Sequence, residues 1–370
     1  MSPVPDRRAF SPDRPQPPGQ LLLETLDHLG MSQAELARRT NRPVKTINEI
    51  AHGRTAITPE TAIQFERVLK VKAVIWNGLE ARYRQMLAAV DEQDRLQGAL
   101  GWLDRFPVRE LQARGALPKV RDRLVLADAL LRFFGIASPA VWEQEWASPN
   151  AAFRTALRGE RRPESVSAWV RLGEIAAQQM NCKPFDHVRF RKLVPDLREL
   201  VSQDASAATR QLQALCAEVG VAVVFVRVLP KTRAFGVTRW VSSDRVMIAL
   251  SVFYATDDYL WFTFFHEVAH VLLHGRRDFV IDEVGQHGSG DGREDQADRY
   301  AMDMLIPPEA YERLRTNSAA ITPSRVRAFA AQVGVTPGVV VGRLQHEDVI
   351  GWKHPLSSLR RKVDPPWSFA

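Results

Sequence analysis

Two histidines four residues apart, with a glutamate beside the first, carry the plainest chemistry in this chain: His266-Glu267-Val268-Ala269-His270. On a helix, residues at that spacing lie one above the other on the same face. Two imidazoles so placed can grip one metal ion, and Glu267 stands beside them as a candidate general base. Farther on, Glu294-Asp295-Gln296-Ala297-Asp298 offers Glu294 as a third ligand. Together they predict Zn2+ with one coordination position left open, which separates a catalytic zinc site from a structural one. The reaction expected of such a site is amide hydrolysis. Glu267 takes a proton from water and passes it to the leaving amine, while the metal polarises the carbonyl. Asp298, one turn beyond Glu294, is placed to accept the second N–H of a ligand histidine and so fix its tautomer. His274 lies a further turn along the histidine face, where it can touch substrate or support the helix end. His287, in the Gly-rich loop 286–291, is not expected to be a ligand. Tyr300 can offer a hydroxyl, although packing accounts for it as well.

Something must hold these groups. The segment that starts at Thr256-Asp257-Asp258 is apolar almost all round: Leu260, Trp261, Phe264, Phe265, Val268, Val271 and Leu272. A helix with that pattern is buried. Burying an unpaired charge costs several kcal/mol, so His, Glu and His in such a helix need a partner, and a metal supplies one. Upstream, Val221–Val228 is a β-branched run long enough for a buried strand. Gly236–Val241 and Val246–Leu250 read as two more strands, joined through Ser242-Ser243-Asp244. Either of the last two is expected to hold an extended peptide by strand addition. Before the strands, Phe190, Leu193, Leu197 and Leu200 mark one helix, and a second leads to Val219-Gly220. Ser165–Met180 reads as an amphipathic helix. Between 86 and 165, Trp102, Phe106, Leu111, Leu126, Leu130, Phe133 and Phe134 suggest helices with buried faces and no evident chemistry.

The N-terminal part has a different texture. Residues 1–18 are rich in proline and arginine, lack the apolar core of a signal peptide, and read as a disordered leader. Leu21, Leu22, Leu26 and Leu29 then recur at helical spacing, with Gly30 as a C-terminal cap. Ser32 followed by Glu35 is a capping box that opens a short helix to about Arg39. Thr40-Asn41-Arg42-Pro43 turns the chain. A third helix spans Val44–His52, with Ile47 and Ile50 pointing inward, and Thr58-Pro59-Glu60 opens a fourth. Two short helices joined by a tight turn suggest a helix-turn-helix whose second member enters the DNA major groove. Its candidate contacts are Lys45, Thr46 and Asn48, with Gln33 at the start of the preceding helix. Arg54 and its neighbours Arg38, Arg39 and Arg42 are placed for phosphates.

Bulk properties agree with this division. At 370 residues the chain is long enough for two or three domains. A net charge of +7 makes an anionic partner such as nucleic acid plausible. Two cysteines, Cys182 and Cys216, exclude a disulfide framework or a thiolate-rich metal site. They fit a reducing compartment, and no apolar run approaches the roughly 18 residues of a membrane span. A cytoplasmic protein without a membrane partner is the expectation.

Two resemblances follow from these residues. The stretch PGQLLLETLDHLGMSQAELARRTNRPVKTINEIAHGRTAITPETAIQFERVL resembles the XRE-type helix-turn-helix of HigA-like antitoxins. The resemblance implies operator binding, usually as a homodimer, and a RelE/HigB-like toxin as a partner. The segments GVAVVFVRVLPKTRAFGVTRWV, VMIALSVFYATDDYLWFTFFHEVAHVLLHG and EDQADRYAMDMLIPPEAY resemble the ImmA/IrrE metallo-endopeptidases. VTPGVVVGRLQHEDVIG matches as well, a helical tail that itself resembles a helix-turn-helix. That resemblance places zinc on His266, His270 and Glu294 and catalysis on Glu267, with Ala269 where the family commonly has Gly. It implies a regulatory protein, of repressor or antitoxin type, as the substrate. The alternative is an antitoxin or transcriptional repressor whose peptidase fold serves as a sensor or protein-binding surface. The expected architecture is α+β and mostly helical. It comprises a helix-turn-helix bundle at 19–85, a helical connector at 86–165, a zincin-like domain with a small sheet at 166–315, and a helical C-terminal region at 316–370.

Overall fold

The computed structural model of the chain describes residues 16–147, 162–275, 280–283, 292–316 and 321–369. Most of the expected leader, and the loop with His287, lie outside these residues. The chain forms two compact units, residues 1–98 and 99–370.

The first unit is built from α1 (Gly19–His28), α2 (Gln33–Arg39), α3 (Val44–Ala51), α4 (Pro59–Leu69) and α5 (Ala73–Gly98). Its short helices begin where side chains satisfy their first backbone N–H groups. Ser32 Oγ accepts from Glu35 N at 3.1 Å, and Thr58 Oγ1 accepts from Thr61 N at 3.2 Å ahead of Pro59. The core comprises Leu22, Leu26, Leu36, Ile47, Ile50, Phe65 and Trp76, all buried. Gly19 explains the Pro-Gly opening: a Cβ there would stand 2.2 Å from the Ala51 carbonyl oxygen, so only glycine lets α1 meet the end of α3. The expected border at residue 85 falls inside α5, which runs on to Gly98.

The second unit starts with α6 (Leu100–Leu103), α7 (Val108–Ala113), α8 (Arg123–Phe134) and α9 (Pro139–Trp142), followed by a π-helical turn, Glu143–Ala147. Arg123–Trp146 has the length and mean hydropathy, 1.7, of a membrane span. It is interrupted at Gly135, whose φ of 68° ends α8. Its rings pack edge-on with their neighbours, Phe106 on Trp142 at 5.2 Å and Phe134 on Trp146 at 5.1 Å. Arg105 joins Glu143 to Glu164, tying this segment to α10 (Pro163–Gln179). What sequence suggested was a connector is, from residue 99 on, part of the second unit.

Beyond α10 come α11 (His187–Glu199) and α12 (Ala205–Ala217), then the strands β1 (Val221–Phe225), β2 (Ala234–Ser242) and β3 (Arg245–Leu250). A buried helix, α13 (Asp257–Ala269), passes into a π-helical turn at His270–His274. Then follow β4 (Val280–Glu283), α14 (Arg293–Leu305), α15 (Pro308–Thr316), α16 (Pro323–Val333) and α17 (Pro337–His346). The sheet order is β1-β3-β2-β4, with β1 parallel to β3 and the other pairs antiparallel. Alternation along the strands divides its faces. Val221, Val223, Phe225, Val246, Ile248 and Leu250 join one core with α11, α12 and α13. The opposite face meets α10, where a Cβ on Gly173 would lie 3.1 Å from Ala249 and Met247.

Two expectations need correction. Strand β3 cannot add a peptide strand, because it lies between β1 and β2 along its whole length. Along β3 both sides are taken, and only a free strand side can recruit a further one; β4 covers β2 over Ala234–Thr238. The C-terminal region is also less helical than expected. After His346, the described chain has only the 3-10 turn Pro355–Leu359 as helix, since Gly351, Pro355, Pro365 and Pro366 oppose helix continuation. Instead this segment clasps α13. Asp257 Oδ1 accepts from Arg361 N at 3.0 Å, Asp258 pairs with Arg360 at 2.7 Å, and Thr256 bridges to Lys362. Helix α17 rests on the same turn through Gly338 and Gly342. A Cβ at Gly338 would stand 2.2 Å from Asp257 Oδ1.

Candidate metal centre and helix-turn-helix face

His266, Glu267 and His270 are 1%, 0% and 3% exposed, on a helix buried between the sheet and its neighbours. Helix α14 crosses α13 and brings Glu294, from its first turn, to the two imidazoles. Glu294 Oε2 lies 3.2 Å from His266 Nε2, and its Oε1 lies 3.6 Å from His270 Nε2. The two Nε2 atoms are 2.9 Å apart.

Hydrogen bonds on the outer ring nitrogens decide the tautomers. His266 Nδ1 lies 2.8 Å from Asp298 Oδ1. An ionised carboxylate only accepts, so Nδ1 carries the hydrogen and the Nε2 lone pair faces Glu294. His270 is set at one remove. His274 Nε2 lies 3.3 Å from Gln296 Oε1, and a hydrogen held there leaves the lone pair of that ring on Nδ1. That atom lies 2.9 Å from His270 Nδ1, which therefore donates. The lone pair of His270 is left on Nε2 as well. Burial first, then the neighbouring imidazoles and Arg293, holds His270 well below the usual histidine pKa, and hence neutral.

With the ring hydrogens on Nδ1, two lone pairs and a carboxylate converge. Such a set repels itself unless a cation joins it. Ligand atoms about 2.0–2.1 Å from a tetrahedral zinc ion stand about 3.3 Å apart. The imidazole nitrogens are 2.9 Å apart, and each has a different Glu294 oxygen near it, at 3.2 and 3.6 Å, so the donor set suits the ion in type and approaches it in size. Among the described residues, His266, His270 and Glu294 form the group that could hold a metal. The π-helical turn at His270–His274 widens the helix where His274 reaches back to His270, a distortion frequent at functional sites.

Glu267 points to the sheet side of α13. Thr238 Oγ1, on β2, donates to Glu267 Oε2 at 2.6 Å. Two residues earlier, a Cβ on Gly236 would stand 2.4 Å from Glu267 Oε1 and 2.7 Å from Thr263 Cγ2. Gly236 and Thr238 therefore form the seat of this carboxylate. Sequence reading named neither, though a glycine inside a strand run often marks a close approach of another group. Gln296 was missed too, and only the placement of His274 gives it meaning. Tyr300 packs against the core instead, and burial raises its hydroxyl pKa.

In the first unit, α3 presents the expected face. Asn48 Nδ2 donates to Gln33 Oε1 at 3.4 Å, and Arg54 donates to Asn48 Oδ1 at 3.3 Å. These three residues form a chain of polar groups on one surface. Lys45 stands apart from them, highly exposed and 3.9 Å from Glu49, while Thr46 is half-buried. Of the flanking arginines, Arg39 pairs with Glu35, and Arg42 donates to Gln64 at 2.7 Å, whereas Arg38 is exposed.

Comparison with known proteins bears on this unit. Residues 22–76 match the helix-turn-helix family HTH_3. No curated protein matches the chain. One similar solved structure is an addiction module antidote protein of the HigA family from Coxiella burnetii. It is 27% identical, with 23% of this chain and 94% of that one covered and a TM-score of 0.22. Another is the Pseudomonas aeruginosa antitoxin HigA with the higBA promoter, 28% identical with the same coverage and a TM-score of 0.22. A third is a putative antidote protein of a plasmid maintenance system from Nostoc punctiforme, 24% identical over the same shares, with a TM-score of 0.23. The N-terminal unit carries a helix-turn-helix.

Proposed function

We propose that this chain is a DNA-binding regulator joined to a zinc-dependent endopeptidase that cuts a regulatory protein of repressor or antitoxin type. The peptidase half of this reading rests on one observation: two tautomer-fixed imidazoles and Glu294 converge beside a seated carboxylate. His266, His270 and Glu294 would hold the zinc, as the ImmA/IrrE resemblance also implies. Bound there, zinc supplies Lewis acidity toward a substrate carbonyl. Asp298 keeps the hydrogen of His266 on Nδ1, and the His274–Gln296 pair does the same for His270. Glu267 accepts a proton from the water that attacks the carbonyl carbon and returns it to the leaving amide nitrogen. Thr238 holds one oxygen of Glu267, so the carboxylate cannot swing away between those two transfers. The helix-turn-helix would place this activity at an operator, with Gln33, Asn48 and Lys45 toward base edges and Arg54 toward phosphate.

The test is co-expression with the proteins encoded beside this gene, comparing the parent chain with Glu267→Gln. Zinc at about one ion per chain in both, with a neighbour cut by the parent alone, is the expected result. Cleavage of the same bond by Glu267→Gln would refute the mechanism. One observation favours a second reading: Glu267 has no solvent exposure. On that reading the chain is a repressor or antitoxin whose second unit binds protein without cutting it. Operator binding and neutralisation of a neighbouring RelE/HigB-like toxin would then survive both Glu267→Gln and His266→Ala.

A further inference from the structure

Four aromatic rings gather where β2 meets the start of α13. Phe235 lies 5.7 Å from Tyr254, 5.4 Å from Tyr259 and 6.2 Å from Phe253, and Tyr254 lies 4.4 Å from Tyr259. Core rings are covered, but Phe253 is 38% exposed and Tyr254 is 44% exposed. The loop that carries them departs from ordinary backbone on both sides. Val252 has φ 46° and Ala255 has φ 51°, and a β-branched residue rarely adopts such a value. Phe235 sits at a register shift between β2 and β4, a bulge of the kind that re-aims a side chain.

The position of this shelf gives it a purpose. Phe235 directly precedes Gly236, against which Glu267 lies. Tyr259, Thr263 and Glu267 follow at intervals of four along one face of α13. Eight residues of helix span about 12 Å, and an extended peptide advances about 3.3 Å per residue, so the shelf lies about three or four peptide residues from Glu267.

We infer that Phe235, Phe253, Tyr254 and Tyr259 form a specificity subsite for one large apolar side chain of the substrate, about three or four residues from the bond that is cut. This rests on the peptidase reading and gives its substrate a chemistry. The rings are uncharged; burial first, and then Tyr254, raises the Tyr259 hydroxyl to about 12. Arg360, 5.7 Å from the Tyr259 ring, is already paired with Asp258 at 2.7 Å. An aromatic or long aliphatic group would meet ring edges and faces at the spacings the four rings already use among themselves.

Two fluorescein-labelled decapeptides of Gly and Ser, one with a central Trp and one with a central Lys, separate the possibilities. With the full-length Glu267→Gln protein, anisotropy should show the Trp peptide binding at least about tenfold more tightly. The double variant Phe253→Ser/Tyr254→Ser, made in the same background, should abolish that difference. Equal binding of the two peptides, or an unchanged preference in the double variant, overturns the subsite. The zinc-loaded parent should then cut the Trp peptide about three or four residues from the Trp. Cutting both peptides equally would remove the subsite while keeping the peptidase. A preserved binding preference with neither peptide cut would leave the shelf as a peptide-binding surface and remove the peptidase.

Discussion

Helices α3 and α13 solve opposite problems. Helix α3 buries Ile47 and Ile50 and turns its polar groups outward, where Asn48 is linked to Gln33 and Arg54 by hydrogen bonds longer than 3.2 Å. Helix α13 and the π-helical turn that continues it bury His266, Glu267 and His270, and each is held at 2.6–2.9 Å by a partner from another element or the next turn. A surface that reads DNA can keep loose contacts, because water and phosphate will replace them. A buried site cannot, since every polar atom taken from water must be repaid by a partner. The first helix is therefore tolerant of its neighbours, and the second is set by them.

Breaking that contrast should give graded effects. On the proposed peptidase reading, Glu267→Gln should keep the buried shape and zinc content, while hydrolysis of a cognate protein should fall about 10²–10⁴-fold in single-turnover assays. Gly236→Ala leaves every ligand intact yet forces the Glu267 carboxylate off its seat; a displacement near 1 Å should cost about 10²-fold in rate, with zinc content unchanged by elemental analysis. Asp298→Ala frees the His266 tautomer, and zinc affinity measured against a competing chelator should drop about 10–100-fold. On the open helix, Asn48→Ala should cost about 1–3 kcal/mol of discrimination between operator and mismatched DNA in gel shifts. Arg54→Ala should be mildest, weakening all sequences alike and lowering the slope of log affinity against log salt by about one. If Asn48→Ala and Arg54→Ala left operator binding unchanged, α3 would not be the reading element.

The elements themselves were largely legible. Capping at Ser32 and Thr58 and the β-branched runs at 221 and 246 are local signals, and the observed bounds differ from expectation by a few residues. The candidate ligands were legible because their spacing on one helix is itself the signal. The seat of Glu267 was not, since Gly236 and Thr238 matter only once α13 crosses β2, a contact between residues some thirty positions apart. Strand order escaped for the same reason: nothing in Gly236–Val241 states that β3 will flank it on one side and β4 pair with its first half on the other. The last segment misled because two real helices, α16 and α17, precede a proline-rich stretch that continues only as a clasp.

That clasp bears on when the molecule becomes competent. The first turn of the histidine helix is secured by Arg360 and Arg361, almost a hundred residues after His266 has been synthesised. While those arginines are still in the ribosomal tunnel, the helix lacks its anchor. A nascent chain would thus expose its helix-turn-helix first and complete the setting of the histidine helix last.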